Sequence, residues 1–346
     1  MRPTSTAVKG VEVQRRPRLE DVAAAAGVST ASASLVLRDV PGPSARTRER
    51  VLAAAERLGY RADRTASLLA RRRTRLLGVP VLLRDAFRAE LAEEVQVAAH
   101  RHGYTVALSA ITPVSDEPRV VEALLDMRCE AVLLLAPELP PADLVALATR
   151  APVVVVARHV APDGFDVVRV ADEAGVGEAV DHLVDLGHRR IVHVDGGEAA
   201  MAADRRTGFL EAVRRHGVDG RVLRGGSVEA AGAAAARALL DEPELPTAVI
   251  AANDRSAIGL LDVFLRAGVR VPQDVSVIGY DDGELARLSH IDLTTVSQEA
   301  AEQAERAVGA ALERLEGART DPVEVVLKPH LVIRGTTAPP RSPEAG

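Results

Sequence analysis

The stretch LEDVAAAAGVSTASASLVLRD, residues 19–39, holds two short alanine-rich segments around a single glycine. The first segment is amphipathic, and Gly27 is placed to end a helix there as a C-cap residue. Ser29 is placed to cap a second helix that runs to Leu37. Neither helix is long enough to be stable alone in water, so the sequence predicts that the two belong to a larger packed unit.

A third amphipathic helix is predicted after the turn at residues 41–43, with Ser44 as its cap and an apolar stripe of Val51, Leu52, Ala55 and Leu58. Three short helices with a glycine turn between the first two predict a helix-turn-helix. The hydroxyl groups of the second helix suit phosphate oxygens, and its small side chains would let it enter a major groove. A small helical cap, whose serines only cap and solvate, is the alternative.

The charge distribution favours DNA binding over that alternative. Residues 1–75 carry 16 Lys or Arg against 7 Asp or Glu, whereas the remaining residues carry 27 against 42. A basic segment on an acidic body indicates that only the front of the chain approaches a polyanion. A basic solubilising arm would have the same charge. The charge therefore supports DNA binding only in combination with the predicted helix-turn-helix.

Length and composition predict a cytoplasmic protein of two or more domains. The chain has 346 residues, of which 47% are hydrophobic and 2% aromatic, so Ala, Val and Leu must form the cores. Neither a membrane span nor a secretion signal is recognised in the sequence. The one cysteine, Cys129, fits a reducing compartment and is predicted to be a buried, inert thiol.

From Leu76 onward, short apolar runs alternate with amphipathic helices. A first series of strands is predicted at residues 76–83, 104–109, 131–135 and 152–157, and a second at 167–170, 190–194, 248–251 and 275–279. Such alternation implies parallel sheets covered by helices on both faces. Two series imply two α/β lobes with a ligand cleft between them.

The motifs of common enzymes are not found in this body. The stretch HVDGGEA at residues 193–199 lacks the G-x-G-x-x-G spacing, and no Walker motif is present. Asp281 and Asp282 are adjacent and would diverge on regular structure, while His188 is predicted to be structural. Because no Cys/His cluster has metal-ligand spacing either, the sequence predicts no enzyme, no cofactor and no metal.

Polar side chains instead stand where predicted strands end. Arg158 follows PVVVVA, Asn253 and Asp254 follow TAVIAA, and Asp281 follows VSVIGY. Ligands bind at this carboxyl edge of parallel sheets. The combination of donors, acceptors and charged forks suits a sugar, although each residue alone is more commonly a loop cap or a surface ion pair.

The opening stretch, its continuation TRERVLAAAERLGYRADRTASLLARRRTRLLGV and the C-terminal VIRGTT together resemble the lactose-repressor (LacI/GalR) family of bacterial transcription regulators. The resemblance implies an N-terminal all-α helix-turn-helix headpiece and an α/β, two-lobed, periplasmic-binding-protein-like effector domain. It implies contacts to DNA bases from Thr30, Ala31 and Leu35. It implies phosphate contacts from Ser29, Ser32, Ser34, Ser44 and Thr47.

Two headpiece positions depart from the family pattern. Leu35 stands where an Arg is usual, and Arg38, also placed at the DNA, stands where Asn is common. Ala31 and Leu35 cannot hydrogen-bond a base, although both can touch a thymine methyl group. The operator sequence of a known relative is therefore not expected to apply.

The same resemblance makes residues 63–75, DRTASLLARRRTR, a hinge helix that orders on the operator and pairs with its dimer mate in the minor groove. Leu69 matches the leucine that the family wedges into the central base step, and such wedges kink DNA. Ala62 replaces the usual Pro before the hinge. A flexible basic tether is the alternative.

In the second domain the resemblance implies a sugar site. Its matching residues are Arg205, Asn253, Asp281 and Gln298. The segment DAFR keeps Phe87 but has Arg88 in place of an aromatic ring, and Ala157-Arg158 stands where the family has Asp-Arg. Losing a ring and a carboxylate while gaining a cation points to an acidic or phosphorylated ligand.

Together these features predict a homodimeric, cytoplasmic regulator, most simply a repressor, that binds roughly palindromic double-stranded operator DNA and a sugar or sugar-derived effector. The predicted domains are a disordered tail at 1–16, the helix-turn-helix at 17–61, the hinge at 62–75, the effector and dimerisation domain at 76–336, and a disordered tail at 337–346. A sugar-binding protein without DNA function is the alternative. The effector, the operator and the direction of the response stay open.

Overall fold

A computed structural model of the chain describes residues 17–37, 40–60, 73–199 and 201–341. The chain divides into two units, with the boundary between Thr74 and Arg75. The predicted N-terminal tail, Arg38 and Leu69 lie outside the described residues, as does most of the predicted hinge.

The described residues of the first unit form three helices, α1 (Leu19–Ala26), α2 (Thr30–Leu37) and α3 (Ala45–Leu58). Gly27 ends α1 with a left-handed backbone at φ 61°, as the sequence predicts. The predicted caps are confirmed as well. The Ser29 hydroxyl accepts a hydrogen bond from the main-chain N–H of Ser32 at 3.1 Å, and the Ser44 hydroxyl accepts one from that of Thr47 at 3.3 Å.

The small core of this unit is built mostly of alanine and valine. In α3 the predicted stripe is confirmed for Val51 and Ala55, which are buried together with Ala54. It is wrong for Leu52 and Leu58, which are 49% and 37% exposed. Helices α1 and α2 have eight residues each, about 12 Å of helix, so they cover only part of the 14-residue α3.

The second unit contains two six-stranded sheets, and we call each sheet with its helices a lobe. The sheet of lobe 1 is parallel throughout, in the order β11-β5-β4-β3-β1-β2. Its strands are β1 (Leu76–Val81), β2 (Thr105–Ala110), β3 (Ala131–Leu135), β4 (Val153–Val156), β5 (Asp166–Val170) and β11 (Glu324–Leu327). Its helices are α4 (Ala86–Arg101), α5 (Glu117–Asp126), α6 (Pro141–Ala148) and α11 (Ala300–Leu315).

The sheet of lobe 2 has the order β12-β10-β9-β8-β6-β7, and β12 runs antiparallel to β10. Its strands are β6 (Arg190–Val194), β7 (Asp219–Leu223), β8 (Ala248–Ala251), β9 (Ser276–Asp281), β10 (Thr294–Ser297) and β12 (His330–Val332). Its helices are α7 (Asp172–Asp185), α8 (Ala202–His216), α9 (Glu229–Leu240) and α10 (Asp254–Arg266).

The two predicted series of strands are largely confirmed, with one misplacement. Strand β5 was expected to open the second series, but it pairs with β4 and belongs to lobe 1. Strands β7, β10, β11 and β12 were not predicted. Of these, β7, β11 and β12 lie at sheet edges and are partly exposed, and β10 is threonine-rich, so each has at most a short apolar run.

The chain passes between the lobes three times, after β5, after β10 and after β11. Helix α11 follows a strand of lobe 2 but packs on α4 and on the sheet of lobe 1. At the second crossing Glu299 has a left-handed backbone, with φ 54°. The lobes are therefore joined by three short segments beside the cleft.

The ordered C-terminal region continues past the predicted boundary at residue 336. The His188 side chain hydrogen-bonds the Ala338 main-chain oxygen at 2.9 Å, and His182 hydrogen-bonds the Thr337 hydroxyl at 3.1 Å. The prediction of a disordered tail is thus wrong for residues 337 and 338, because the buried His188 and the half-buried His182 bind this proline-rich segment to lobe 2. The structural role predicted for His188 is confirmed.

Cys129 is buried, as predicted, and its burial raises the pKa of the thiol to about 11. A thiol with so high a pKa carries little thiolate near neutral pH and is a poor nucleophile. Among the described residues no helix combines the length and the apolar character that crossing a membrane requires.

Helices α9 and α10 approach each other at two glycines. A Cβ atom at Gly232 would overlap the main-chain oxygen of Ser256, and one at Gly259 would overlap that of Glu229. This close approach fixes the N-terminus of α10, which lies at the cleft between the lobes.

We expect Gly232→Ala to lower the free energy of unfolding by about 1–3 kcal/mol, because the added methyl forces the two helices apart. Gly309→Ala in α11 is the control, since no described atom would lie within 4 Å of its Cβ. Helix propensity alone should make that variant more stable by about 0.5–1 kcal/mol. Urea unfolding measures both, and equal stability of the Gly232→Ala variant and the parent would contradict the close crossing.

Candidate functional site

In the headpiece, the predicted base-contacting positions differ in exposure. Thr30 and Ala31, at the start of α2, are exposed, whereas Leu35 is half-buried. Ser34, a predicted phosphate contact, is half-buried too. Leu35 is thus less available than predicted, because it lies between the exposed face and the buried face of a short helix.

The predicted phosphate contacts cluster at two helix N-termini. The hydroxyls of Ser29 and Ser32 are 2.9 Å apart at the start of α2, and those of Ser44 and Thr47 are 3.0 Å apart at the start of α3. N-terminal main-chain N–H groups and the helix dipole favour anions, so both ends suit phosphate oxygens.

Not every headpiece arginine is available to DNA. Arg50 of α3 donates to the main-chain oxygens of Ala26 and Gly27, and Arg48 donates to that of Val40 at 3.2 Å. These bonds join α3 to the glycine turn and to the segment after α2. In the sequence, both arginines contribute only to the positive charge of residues 1–75.

A cavity of about 450 Å³ is lined by residues of both lobes. They follow the carboxyl ends of strands β1, β3, β6, β7, β8 and β9, the edge at which the sequence predicts a ligand. Five of the predicted effector residues line it, namely Phe87, Arg88, Arg205, Asn253 and Asp281.

The two other predicted effector residues take different places. Gln298 is buried behind the cavity and donates from Nε2 to Asp281 Oδ1 at 2.6 Å. Arg158 is not among the lining residues. Its Nη1 donates to the main-chain oxygens of Pro137 and Leu139 at 2.9 and 2.7 Å, so its guanidinium holds the turn after β3 instead.

Arg205 is held by three elements of lobe 2. Its Nε donates to Asp172 Oδ1 at 2.8 Å and its Nη1 to the Ala252 main-chain oxygen at 2.6 Å. The guanidinium lies 3.6 Å from the centre of the Tyr280 ring, a cation–π contact. Its Nη2 is buried and finds no hydrogen-bond partner within the described residues.

Asp281 and Asp282 diverge, as predicted from their adjacency. Both have positive φ, 121° and 55°, a costly conformation for residues with a side chain. Asp281 faces the cavity, and burial raises the pKa of its carboxyl well above the ordinary value, with Arg205 opposing and Asp254 adding to the shift. Asp282 instead pairs with Arg334 at 2.5 Å.

Asn253 has a structural role as well as a place in the cavity wall. Its Oδ1 accepts from the Ser256 main-chain N–H at 2.9 Å and caps α10, and its Nδ2 donates to the Ser227 oxygen at 3.1 Å. One amide hydrogen is left for a ligand. The neighbouring Asp254 is buried, which raises its pKa to about 7, and it binds Thr295 and the main chain of Gly283.

Polar contacts between described residues join the lobes around the cleft, and no sequence pattern indicates them. Arg255 of lobe 2 donates from Nη1 to the Arg84 main-chain oxygen of lobe 1 at 2.7 Å. His159 of lobe 1 lies 3.1 Å from Asp204 of lobe 2. An Arg287–Glu90 ion pair spans the lobes at 3.8 Å. Each pair is far apart in sequence, so no local pattern could indicate it.

His159, Asp204 and Glu173 also offer ligand atoms that all lie within 4.8 Å of one another. Such a group could hold a metal ion, which the sequence did not indicate because its members are 14 or more residues apart along the chain. The His159–Asp204 contact gives the group a role between the lobes without any ion.

Comparisons with known proteins match both units of the chain. The family model "Bacterial regulatory proteins, lacI family" matches residues 18–63, and "Periplasmic binding protein-like domain" matches residues 180–337. The transcriptional repressor CytR of Escherichia coli K12 is 30% identical over 338 residues, which cover 95% of this chain and 99% of CytR. The chain belongs to the LacI family. It is a helix-turn-helix transcription regulator.

Solved structures of LacI-family proteins share its fold. A Rhodococcus regulator is 48% identical, covering 76% of this chain and 98% of its own, with a TM-score of 0.74. The lac repressor dimer bound to operator and an anti-inducer is 28% identical, covering 94% and 100%, with a TM-score of 0.82. CelR in complex with cellobiose is 30% identical, covering 93% and 100%, with a TM-score of 0.69.

We expect Arg255→Ala to shift this LacI-family regulator toward a more open cleft, because the variant loses the hydrogen bond to Arg84. Small-angle scattering, or energy transfer between one dye on each lobe, measures the change. The control is Arg266→Ala on the same helix, whose side chain is 77% exposed and pairs with Asp262 in an i,i+4 contact. An unchanged interlobe distance in Arg255→Ala would show that this contact does not hold the cleft.

Proposed function

We propose that this LacI-family regulator is a homodimeric cytoplasmic repressor, whose affinity for a roughly palindromic operator is controlled by a sugar or sugar derivative in the cleft. The observation that carries this is the cavity, which is lined by both lobes in a chain that also has a helix-turn-helix. CytR is named as a repressor, the lac repressor structure is a dimer on operator, and CelR is bound to cellobiose.

The headpiece at 17–61 and the hinge at 62–75 would bind the operator. In this proposal Thr30, Ala31, Leu35 and Arg38 face the base edges, and Leu69 enters the minor groove. The phosphates are bound by Ser29, Ser32, Ser34, Ser44 and Thr47. The two serine-capped helix ends support this assignment, since they supply hydroxyls and main-chain donors at two neighbouring positions.

The effector would act by changing how the lobes sit on each other. Because lining residues come from both lobes, a ligand that contacts both favours one interlobe arrangement over another. Within the proposed site, Phe87, Arg88, Arg205, Asn253 and Asp281 contact the effector, Gln298 orients Asp281, and Arg158 holds the turn after β3. Binding is coupled to DNA only if the effector has different affinities for the two arrangements.

We expect operator affinity to fall steeply with salt. If the headpieces make 6–10 phosphate contacts, the association constant should fall by about 10³–10⁵ between 50 and 200 mM salt, because bound counterions are released from the DNA. Fluorescence anisotropy with a duplex obtained by selection from random DNA measures the slope. A random duplex should bind more weakly with a comparable slope. A flat slope would contradict DNA binding through the basic front of the chain.

Leu69→Ala should reduce the ratio of operator affinity to random-DNA affinity, because alanine is too short to fill an opened base step. The substitution keeps helix propensity and every arginine, so binding to random DNA should change little. Leu68→Ala is the matched control in the same segment. An unchanged ratio in Leu69→Ala would show that residues 62–75 act as a plain tether.

A further inference from the structure

We infer that the effector carries an oxyanion group, a phosphate or a carboxylate, and that Arg88 and Arg205 bind this group from opposite lobes. The inference rests on the function proposed above and specifies the chemical class of the effector. It is drawn from the donors in the cavity wall that have no partner.

Arg88 and Arg205 are only 9% and 5% exposed, and both line the cavity. Among the described residues, neither the Nε of Arg88 nor the Nη2 of Arg205 has a hydrogen-bond partner, and both atoms are buried. A buried charged donor without an acceptor is costly. Two such donors in one cavity indicate a ligand with strong acceptors, and a planar guanidinium fits a carboxylate or a phosphate especially well.

The nearby acids do not satisfy Arg88. Asp85 Oδ2 lies 3.6 Å from its Nε, and Glu138 Oε1 lies 3.8 Å from its Nη2, both beyond hydrogen-bond distance. The Asp85 side chain instead caps α4 by accepting from the main-chain N–H of Arg88 at 3.1 Å. The Glu138 side chain is 78% exposed, so water screens its charge.

Arg255, in the same cavity wall, shows the contrast. It donates to both carboxylate oxygens of Glu229, at 2.9 and 2.6 Å, and to the Arg84 main-chain oxygen. Its donors are therefore used within the protein. The difference separates Arg255, which holds the structure together, from Arg88 and Arg205, which keep a donor for a ligand.

The surrounding main chain favours an anion too. Four helices, α4, α8, α9 and α10, begin at this cavity, and residues of their first turns or caps line it. The positive ends of their dipoles therefore lie at the cavity, where they favour an anion. Asp281 in the same wall opposes an anion less than an exposed carboxylate would, because burial raises the pKa of its carboxyl.

Inorganic phosphate is the simplest probe of this subsite. We expect millimolar phosphate to raise the melting temperature of the full-length protein more than chloride does at equal ionic strength. Arg88→Gln should weaken phosphate binding about 10- to 100-fold, the loss expected for a hydrogen bond to a charged group. Arg101→Gln is the control, on the same helix but 67% exposed and paired with Glu305.

The general stabilisation of proteins by phosphate would affect all variants equally, so the comparison between variants decides. A phosphate response that survives in Arg88→Gln, or one no larger than that of chloride, would overturn the inference. Arg205 is hydrogen-bonded to the core of lobe 2, so its variants can lose phosphate binding through misfolding and need a folding measurement beside them. Arg88→Gln is therefore the decisive variant.

A second arm separates the sources of the anion and the two proposals. Neutral hexoses, their 6-phosphates and the matching uronic acids are tested for a change in operator binding. A response to one anionic series only identifies phosphate or carboxylate. A response to neutral sugars that persists in Arg88→Gln would support the proposed function and overturn the anion. Phosphate binding that depends on Arg88, without any effect of the sugars or sugar acids on operator binding, would support the anion site and contradict the proposed function.

Discussion

The structure of the cleft depends on one buried ion pair, Arg205 with Asp172. Through it α8 is bonded to the first residue of α7, immediately after the chain has crossed from lobe 1, and the same guanidinium reaches the end of β8 and the ring of Tyr280. Removing one partner of such a pair leaves an uncompensated buried charge, which costs about 3–5 kcal/mol. The residue that lines the cavity therefore also fixes the start of lobe 2 relative to the crossing segment.

This arrangement suits a ligand-controlled regulator. The lobes are joined by three short crossings and by polar contacts such as Arg255 with Arg84 and His159 with Asp204. Polar contacts of this kind are individually weak. A ligand with a modest difference in affinity can then shift the population between interlobe arrangements.

In the headpiece, too, single residues have two roles. Its core consists of small side chains, its helices are held by Gly27, Ser29 and Ser44, and Arg50 bonds the glycine turn to α3. The groups that cap the helices are also the ones that face phosphate in the proposed complex. In that proposal, the same hydroxyls serve both helix stability and DNA binding.

The sequence by itself determined the features that depend on local patterns. Residues close together in the chain predict the helix caps, most strands of both lobes and the polar residues at strand ends. Contiguous motifs also indicate the family. Only the tertiary structure decided that β5 pairs in lobe 1, that Arg158 binds a turn while Arg255 joins the lobes, and that Gln298 lies behind Asp281. These features depend on partners that are from 12 to 171 residues away in the chain. A local sequence pattern does not show which distant carbonyl or carboxylate accepts a hydrogen bond from a given side chain. The exposure of Leu52 and Leu58 also depends on tertiary structure. The length of the partner helices, rather than the apolar stripe of α3, determines how much of α3 is covered.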